Sequence, residues 1–367
     1  MNEIKKICII SSVHRWNDTR IFYKEASSLA KKYNVELHAI ANFKYKNKNN
    51  VSIYGLSKYN SRVLRPLNWM KLFYRTLKSS SEVVHFHDPE LIIIGLILKF
   101  FTNKKIIYDI HEDYSKTILD KEWLGYKWIR KVISIIFKKF EMLSSKLFEG
   151  NIVVLDQWED KYQNSVSVKN FPIIFKNELD KNRKKNKVVY IGNLCKERGI
   201  IEMLKSFELV LQKSNNISFD IIGTWANDQI KEEALQIVSA NKNINYLGFL
   251  PIDKAKKIIK QAKFGLCLYT SEKYEENLPV KMYEYLSLGT PVLCTNFKSW
   301  KRLIETEGWG LSVNPFNYQE VSQIILKILN KSFFNNLYSN CLKYRNKYNW
   351  NNEEKKLLDF YKKIQIN

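Results

Sequence analysis

Short apolar runs alternate along the chain with longer stretches in which apolar positions recur every three to four residues. The runs KICIISS (6–12), VELHAIA (35–41), SEVVHFHD (81–88), KIIYDIHE (105–112) and NIVVL (151–155) predict buried strands. Between the first two, NDTRIFYKEASSLAKKY (17–33) predicts a helix capped by Asn17 or Asp18, with Ile21, Ala26, Leu29 and Ala30 on one face. Further helices are expected over 89–101 and roughly 122–148, while KYKNKNN (44–50) reads as solvated filler and KNELDKNRKKNK (176–187) as a linker. Alternation then restarts. VVYIGNL (188–194), FDIIGTW (219–225), NINYLGFL (243–250), FGLCLYT (264–270), TPVLCTN (290–296) and GLSVNP (310–315) read as strands. IIEMLKSFELVLQ (200–212), PVKMYEYLSLG (279–289) and NNEEKKLLDFYKKI (351–364) read as helices.

This alternation predicts an α/β protein of two doubly wound, Rossmann-like domains facing a cleft, each with a mostly parallel sheet. The expected bounds are 1–172, 173–348, and a C-terminal helix, 349–367, packing back on the first domain. Ligands of such sheets lie beyond the carboxyl ends of the strands. That directs attention to His14, His87, Asp88, His111, Glu112 and Asp113.

Composition narrows the class. A 45% apolar fraction over 367 residues supports two cores and excludes a disordered chain. The formal charge of +23 is spread over both halves; it suits anionic ligands or surfaces, or a proteome rich in Lys and Asn. The five cysteines form no CxxC and no Cys/His cluster, so neither a zinc site nor a disulfide framework is expected. NEIKK leads directly into a strand, and LIIIGLILKFF (91–101) is shorter than the ~20 residues a spanning helix needs. The expected location is cytoplasmic, or peripheral on the inner face of the plasma membrane.

The densest chemistry lies in EENLPVKMYEYLSLGTPV (275–292). Pro279 suits a first helical turn, and Asn277 before it suits a cap. A helix start offers free N–H groups and a positive dipole end to phosphate. Glu276 and Glu284, eight apart, suit the hydroxyls of a sugar and a ribose. The bland alternative is a set of solvated carboxylates.

This segment resembles the E-x7-E motif of retaining GT-B glycosyltransferases of the family 4 (group 1) type, which includes enzymes of bacterial capsule, O-antigen and exopolysaccharide synthesis. SSVHRWNDTRIFYKEASSLA (11–30), HFHDPEL (85–91), IIYDIHEDY (106–114), VVYIGNLCKERGI (188–200) and NYLGFLP (245–251) resemble its other motifs in the same order. The resemblance implies that Glu284 holds the donor ribose and that Glu276, beside Glu275, lies against the donor sugar. It implies diphosphate contacts from Gly192, from backbone near Leu278, Pro279 and Val280, and from Arg198. Asn193 stands where the family has a second cation, so Lys196 or Lys281 is the candidate substitute. Phe249 falls in the loop that contacts the base, and His111 at the position that contacts the donor sugar near the reacting carbon. His14, Asp18, Arg20 and Asp113 are candidates for the acceptor side or the cleft.

The implied reaction moves a sugar from a nucleotide-diphosphate sugar to a saccharide acceptor, expected to be lipid-linked, in surface polysaccharide synthesis. No Asp-x-Asp occurs, so no metal or other cofactor is expected. A nucleotide-sugar epimerase on the same fold and a non-catalytic scaffold of a polysaccharide assembly complex are the alternatives. KWIRKVISIIFKKFEMLSSKL (127–147) interleaves cations with Trp, Ile and Phe. It reads equally as an anionic-membrane contact and as an ordinary helix with a basic face. Nucleic acid is not an expected partner, because no recognition motif accompanies the charge.

Overall fold

The computed structural model describes residues 5–59, 61–174, 179, 185–276 and 279–366. The chain forms two compact units, one of residues 1–170 with 350–367 and one of residues 171–349.

In the first unit, β1 (Lys6–Arg15), β2 (Asn34–Ile40), β3 (Tyr45–Lys48), β4 (Val51–Leu56), β5 (Val83–Phe86), β6 (Lys105–Ile110), β7 (Gly150–Val153) and β8 (Ser165–Ser167) build one sheet. Its order is β3-β4-β2-β1-β5-β6-β7-β8, parallel except for the antiparallel β3–β4 pair. Ile7, Cys8, Ile9 and Ile10 are all buried, as a strand covered on both faces requires. The strand order reverses between β1 and β5, which makes their carboxyl ends the switch point of this unit.

KYKNKNN is not filler. It forms β3 and a tight turn at Asn49 and Asn50, whose φ angles are 52° and 60°. Asparagine tolerates the left-handed region, so the polar run reverses the chain into β4. The helix expected over 17–33 is also different. Asp18, not Asn17, caps it, accepting from the backbone N–H of Arg20 and Ile21. Thr19–Ala26 then winds with wide, π-type turns before α1 (Ser27–Leu29). A wide turn aligns positions five apart, and both Arg20 and Glu25 are buried.

The helices of this unit continue with α2 (Arg65–Lys78), α3 (Ile92–Phe101), α4 (Tyr114–Leu119) and α5 (Lys127–Ser145). The sequence pattern did not single out α2.

In the second unit, β9 (Lys187–Ile191), β10 (Ser218–Ile222), β11 (Ile244–Tyr246), β12 (Phe264–Cys267), β13 (Val292–Thr295) and β14 (Gly310–Val313) form a parallel sheet of order β11-β10-β9-β12-β13-β14. The strand order reverses here between β9 and β12. The helices are α6 (Ile200–Leu211), α7 (Asp228–Ala240), α8 (Ile252–Gln261), α9 (Val280–Ser287), α10 (Lys298–Glu307), α11 (Tyr318–Lys327) and α12 (Lys331–Tyr344). Two cores flank the sheet, one led by Phe207, Phe219 and Leu266 and the other by Tyr285, Trp300 and Trp309. Helix α13 (Trp350–Ile366) belongs to the first unit, where the Trp350 indole donates to Ser28 Oγ and the Tyr361 hydroxyl meets His85.

Candidate functional site

At the switch point of the second unit, β9 leads into Gly192 and β12 leads to Tyr269. Gly192 has φ 142°, and a Cβ there would stand 2.7 Å from Lys281 Nζ and 3.3 Å from Arg198 Nη1. A bare backbone and two cations therefore meet at one point. Arg198 ends a single 3-10 turn, held by Gly199 in the left-handed region at φ 69°. A Cβ on Gly199 would sit 1.8 Å from the Leu268 carbonyl oxygen, so only glycine closes this turn against β12.

Lys281 is the unusual member. It is buried on the first turn of α9, and its Nζ makes no hydrogen bond among the described residues. The ammonium lies 4.0 Å from the Tyr190 ring centroid and 5.3 Å from that of Tyr269. Ring faces offset part of the cost of burying a cation, by ~0.5–2 kcal/mol. Burial still pulls the lysine down from 10.5 to about 8. An unpartnered buried cation beside a bare glycine and an arginine is a receptor for an anion.

The acidic residues of the segment separate. Glu275 is committed to the fold: its carboxylate accepts from the Lys298 backbone N–H at 3.1 Å and its carbonyl from the Ser299 hydroxyl at 2.5 Å, both at the start of α10. Glu276 is exposed. Glu284 is half-buried, one turn beyond Lys281 on α9. Pro279 directly precedes the helix, which starts at Val280, and gives it no side-chain cap. Asn277 and Leu278 lie outside the described residues. The Asn193 side chain is exposed, while its carbonyl accepts from the Tyr190 hydroxyl at 2.8 Å. Phe249 stands 75% exposed after Gly248, an aromatic face open to a ligand.

In the first unit the candidates surround a buried charged cluster. Arg20 Nε and Nη2 donate to the two Asp109 oxygens at 2.9 and 3.1 Å, and Nη1 donates to the Val168 carbonyl. Glu25 Oε1 also lies 2.9 Å from Arg20 Nε. His87 Nδ1 is 3.2 Å from Asp109 Oδ2, and His85 and His87 stack at 4.5 Å. Burial, helped by the nearby Asp109, raises Glu25 well above the usual carboxylate range, although Arg20 opposes the shift. Burial would also raise Asp109, but Arg20, His111 and His87 outweigh it and hold it well below that range. Asp109 is thus the carboxylate that pairs with Arg20, and Glu25 is the one that burial drives toward its neutral form.

Arg20 was a candidate for ligand contact; its three donor nitrogens are instead spent inside the unit. Asp18 acts as a helix cap, and Asp113 caps α4 by accepting from Lys116 N–H and Ser115 Oγ. His14 and His111 remain near the surface. Their rings are 5.4 Å apart, and the His111 Nδ1 makes no hydrogen bond among the described residues. His14 Nδ1 contacts Asp88 Oδ1 at 2.9 Å. Burial works against the charge on both, yet the pairing wins: His14 is raised, and Asp88, which also accepts from Ser11 and Ser12, is lowered to about 2.

Residues 173–349 match the family model described as Glycosyl transferases group 1. The matched residues make up almost all of the second unit. An uncharacterized glycosyltransferase of Methanocaldococcus jannaschii is 26% identical over 275 residues, covering 67% of this chain and 65% of its own. The chain thus spans just under two thirds of that relative's length. The capsular polysaccharide biosynthesis glycosyltransferase CapM of Staphylococcus aureus is 21% identical over 284 residues, with 71% and 70% covered. The sucrose-phosphate synthase of Thermosynechococcus elongatus shares the fold at TM-score 0.73 over 98% of both chains, at 13% identity. The fold class is GT-B, with two Rossmann-like units.

In the second unit, sequence reasoning missed Tyr190 and Tyr269, the rings that hold Lys281. In the first unit it missed Glu25, His85 and Asp109. A signal for these was present: a charged residue inside an apolar strand, as in KIIYDI, needs a buried partner.

Proposed function

We propose that this protein is a retaining glycosyltransferase whose group 1 unit holds a nucleotide-diphosphate sugar. The observation that carries the reading is the buried, unpartnered ammonium of Lys281 beside Gly192 and Arg198, on the first turn of a helix that also bears Glu284. Lys281 supplies the second diphosphate cation that Asn193 cannot. Arg198 is the other, and the start of α9 adds its dipole. Glu284, the half-buried carboxylate, takes the ribose hydroxyls, and Glu276, rather than Glu275, faces the donor sugar. Phe249, an exposed ring, stacks on the base in this reading.

In the reaction, the acceptor hydroxyl oxygen bonds to the anomeric carbon while the bond from that carbon to the diphosphate oxygen breaks. The leaving oxygen carries off the electron pair and takes up the acceptor's proton. Lys281 and Arg198 stabilise the charge that grows on it, so turnover is expected to persist in chelator. His111 touches the donor sugar, as the resemblance implies. The similarity to CapM supports a saccharide acceptor of surface polysaccharide synthesis, lipid-linked in this reading.

The test is nucleotide release from a panel of nucleotide sugars, with the product's anomeric configuration read by NMR. Transfer with retention, lost in Glu284→Ala and Lys281→Met, supports the reading. Binding of donors without turnover would make the chain a scaffold, and isomerised free sugar would make it an epimerase.

A further inference from the structure

Helix α5 packs Phe137 and Met142 on the core but also carries a second apolar side. It turns Ser134, Glu141, Ser144 and Ser145 inward, while Trp128, Ile136 and Leu143 stand more than 60% exposed. Val132, Ile135, Phe140 and Leu147 extend the exposed row. A helix whose sole task was to cover a sheet would bury these side chains and expose the serines.

The neighbouring helices repeat the feature. Helix α3 packs between α2 and α5. It exposes Ile93, Ile97, Phe100 and Phe101. Helix α2 exposes Leu67, Met70, Tyr74 and Leu77. Each row follows three- and four-residue steps, so each is one stripe along its helix. Three adjacent stripes form an apolar face broader than isolated surface leucines, and such faces mark interaction sites.

The charges on this face have one sign. Helices α2 and α3 contain no Asp or Glu. The one acidic residue of α5, Glu141, is buried and accepts from the hydroxyls of Tyr108 and Tyr162 at 2.7 and 3.0 Å. Lys71, Lys78, Lys127, Lys131, Lys138 and Lys139 are exposed among the stripes. A second copy of this chain would bring like charge against them. The stripes are largely aliphatic, which suits hydrocarbon better than stacked bases. Among the described residues no helix is long and apolar enough to cross a membrane.

We propose that the face formed by α2, α3 and α5 docks on an anionic lipid bilayer, with Trp128, Ile136, Leu143 and Phe101 entering the interface and the lysines reaching headgroup phosphates. The proposal stands on this face alone and does not depend on donor chemistry.

Flotation of the full-length protein with phosphatidylcholine vesicles, with and without about 30 mol % phosphatidylglycerol, tests it. Binding should require the anionic lipid and weaken as salt rises. The triple variant Phe101→Ser, Trp128→Ser, Ile136→Ser should bind at least about tenfold less, and so should Lys131→Glu with Lys138→Glu. Both should melt like the parent and keep nucleotide release with a soluble acceptor. Lys231→Glu, on α7 of the other unit, should bind normally. The proposal fails if the parent ignores anionic vesicles or if the patch variants float like the parent. It also fails if the triple variant's only effect is to dissolve a self-associated form.

Discussion

The Lys281 ammonium sits 4.0 Å from the centre of the Tyr190 ring, buried and without a hydrogen-bond partner among the described residues. A charge held this way costs stability until an anion arrives. Lys281→Met should therefore raise the melting temperature of the empty protein at pH 7. It should also weaken nucleotide-diphosphate binding about tenfold or more, since a charge-assisted hydrogen bond contributes ~1.5–3 kcal/mol. The lysine titrates at about 8 in the fold against 10.5 ordinarily. Between those values the unfolded chain holds more protons, so the empty parent gains stability as pH rises through that window. The methionine variant should lack this gain. Calorimetry across pH, with and without nucleoside diphosphate, reads both effects.

Gly199→Ala should damage the same site through the backbone. The residue sits at φ 69°, and an added methyl would overlap the Leu268 carbonyl. The turn must open, and Arg198 moves with it. A loss of about 2–4 kcal/mol in urea unfolding is expected, with donor KM rising more than kcat falls. A variant as stable as the parent would show that the 3-10 turn is not fixed.

Much of the frame was legible because it rests on periodicity. Runs such as KICIISS and KIIYDI have one reading, a strand buried on both faces, and strand–helix alternation has few packings. Elements set by tertiary context escaped. KYKNKNN looks solvated, yet Asn49 and Asn50 turn it into an edge strand pair. The helix after β1 shows a simple cap at Asp18, but its wide turns follow from burying Arg20 and Glu25 together.

The candidate site was legible where one segment carries it. Lys281 and Glu284 share a helix, so spacing alone placed them together. The choice of Glu276 over Glu275 rested on counting; the structure adds that Glu275 is tied to α10. Arg20 was misjudged because its partner, Asp109, is 89 residues away and nothing local signals the pair.

His14 and Asp88 should make stability depend on pH from both sides. His14 is raised by the pairing, so its contribution is complete below the usual histidine range and is lost as pH rises through its elevated value. Asp88, lowered to about 2, contributes above the usual carboxylate range and loses that contribution as pH falls toward 2. Melting temperature should peak between these limits. His14→Gln should flatten the alkaline side, which a thermal series from pH 4 to 9 would show.

The buried cluster gives the sharpest contrast between two carboxylates. Asp109 is ionised and grips Arg20 through both oxygens. Asp109→Asn leaves a buried guanidinium without its counter-charge, and breaking a buried pair costs ~3–5 kcal/mol. Glu25 is raised well above the usual range, so burial favours its neutral form, which Glu25→Gln mimics at equal size. Because the unfolded glutamate is already ionised at pH 7, the exchange should leave stability unchanged or raise it there. The two variants part further at high pH. A raised carboxyl withdraws its contribution as pH climbs through the folded value, because the unfolded group has long since ionised. Glutamine cannot ionise, so the Glu25→Gln protein should resist alkaline unfolding better than the parent while Asp109→Asn fares worse at every pH. Equal losses for the two variants would mean that Glu25 carries a charge in the fold, with Arg20 shared between two anions.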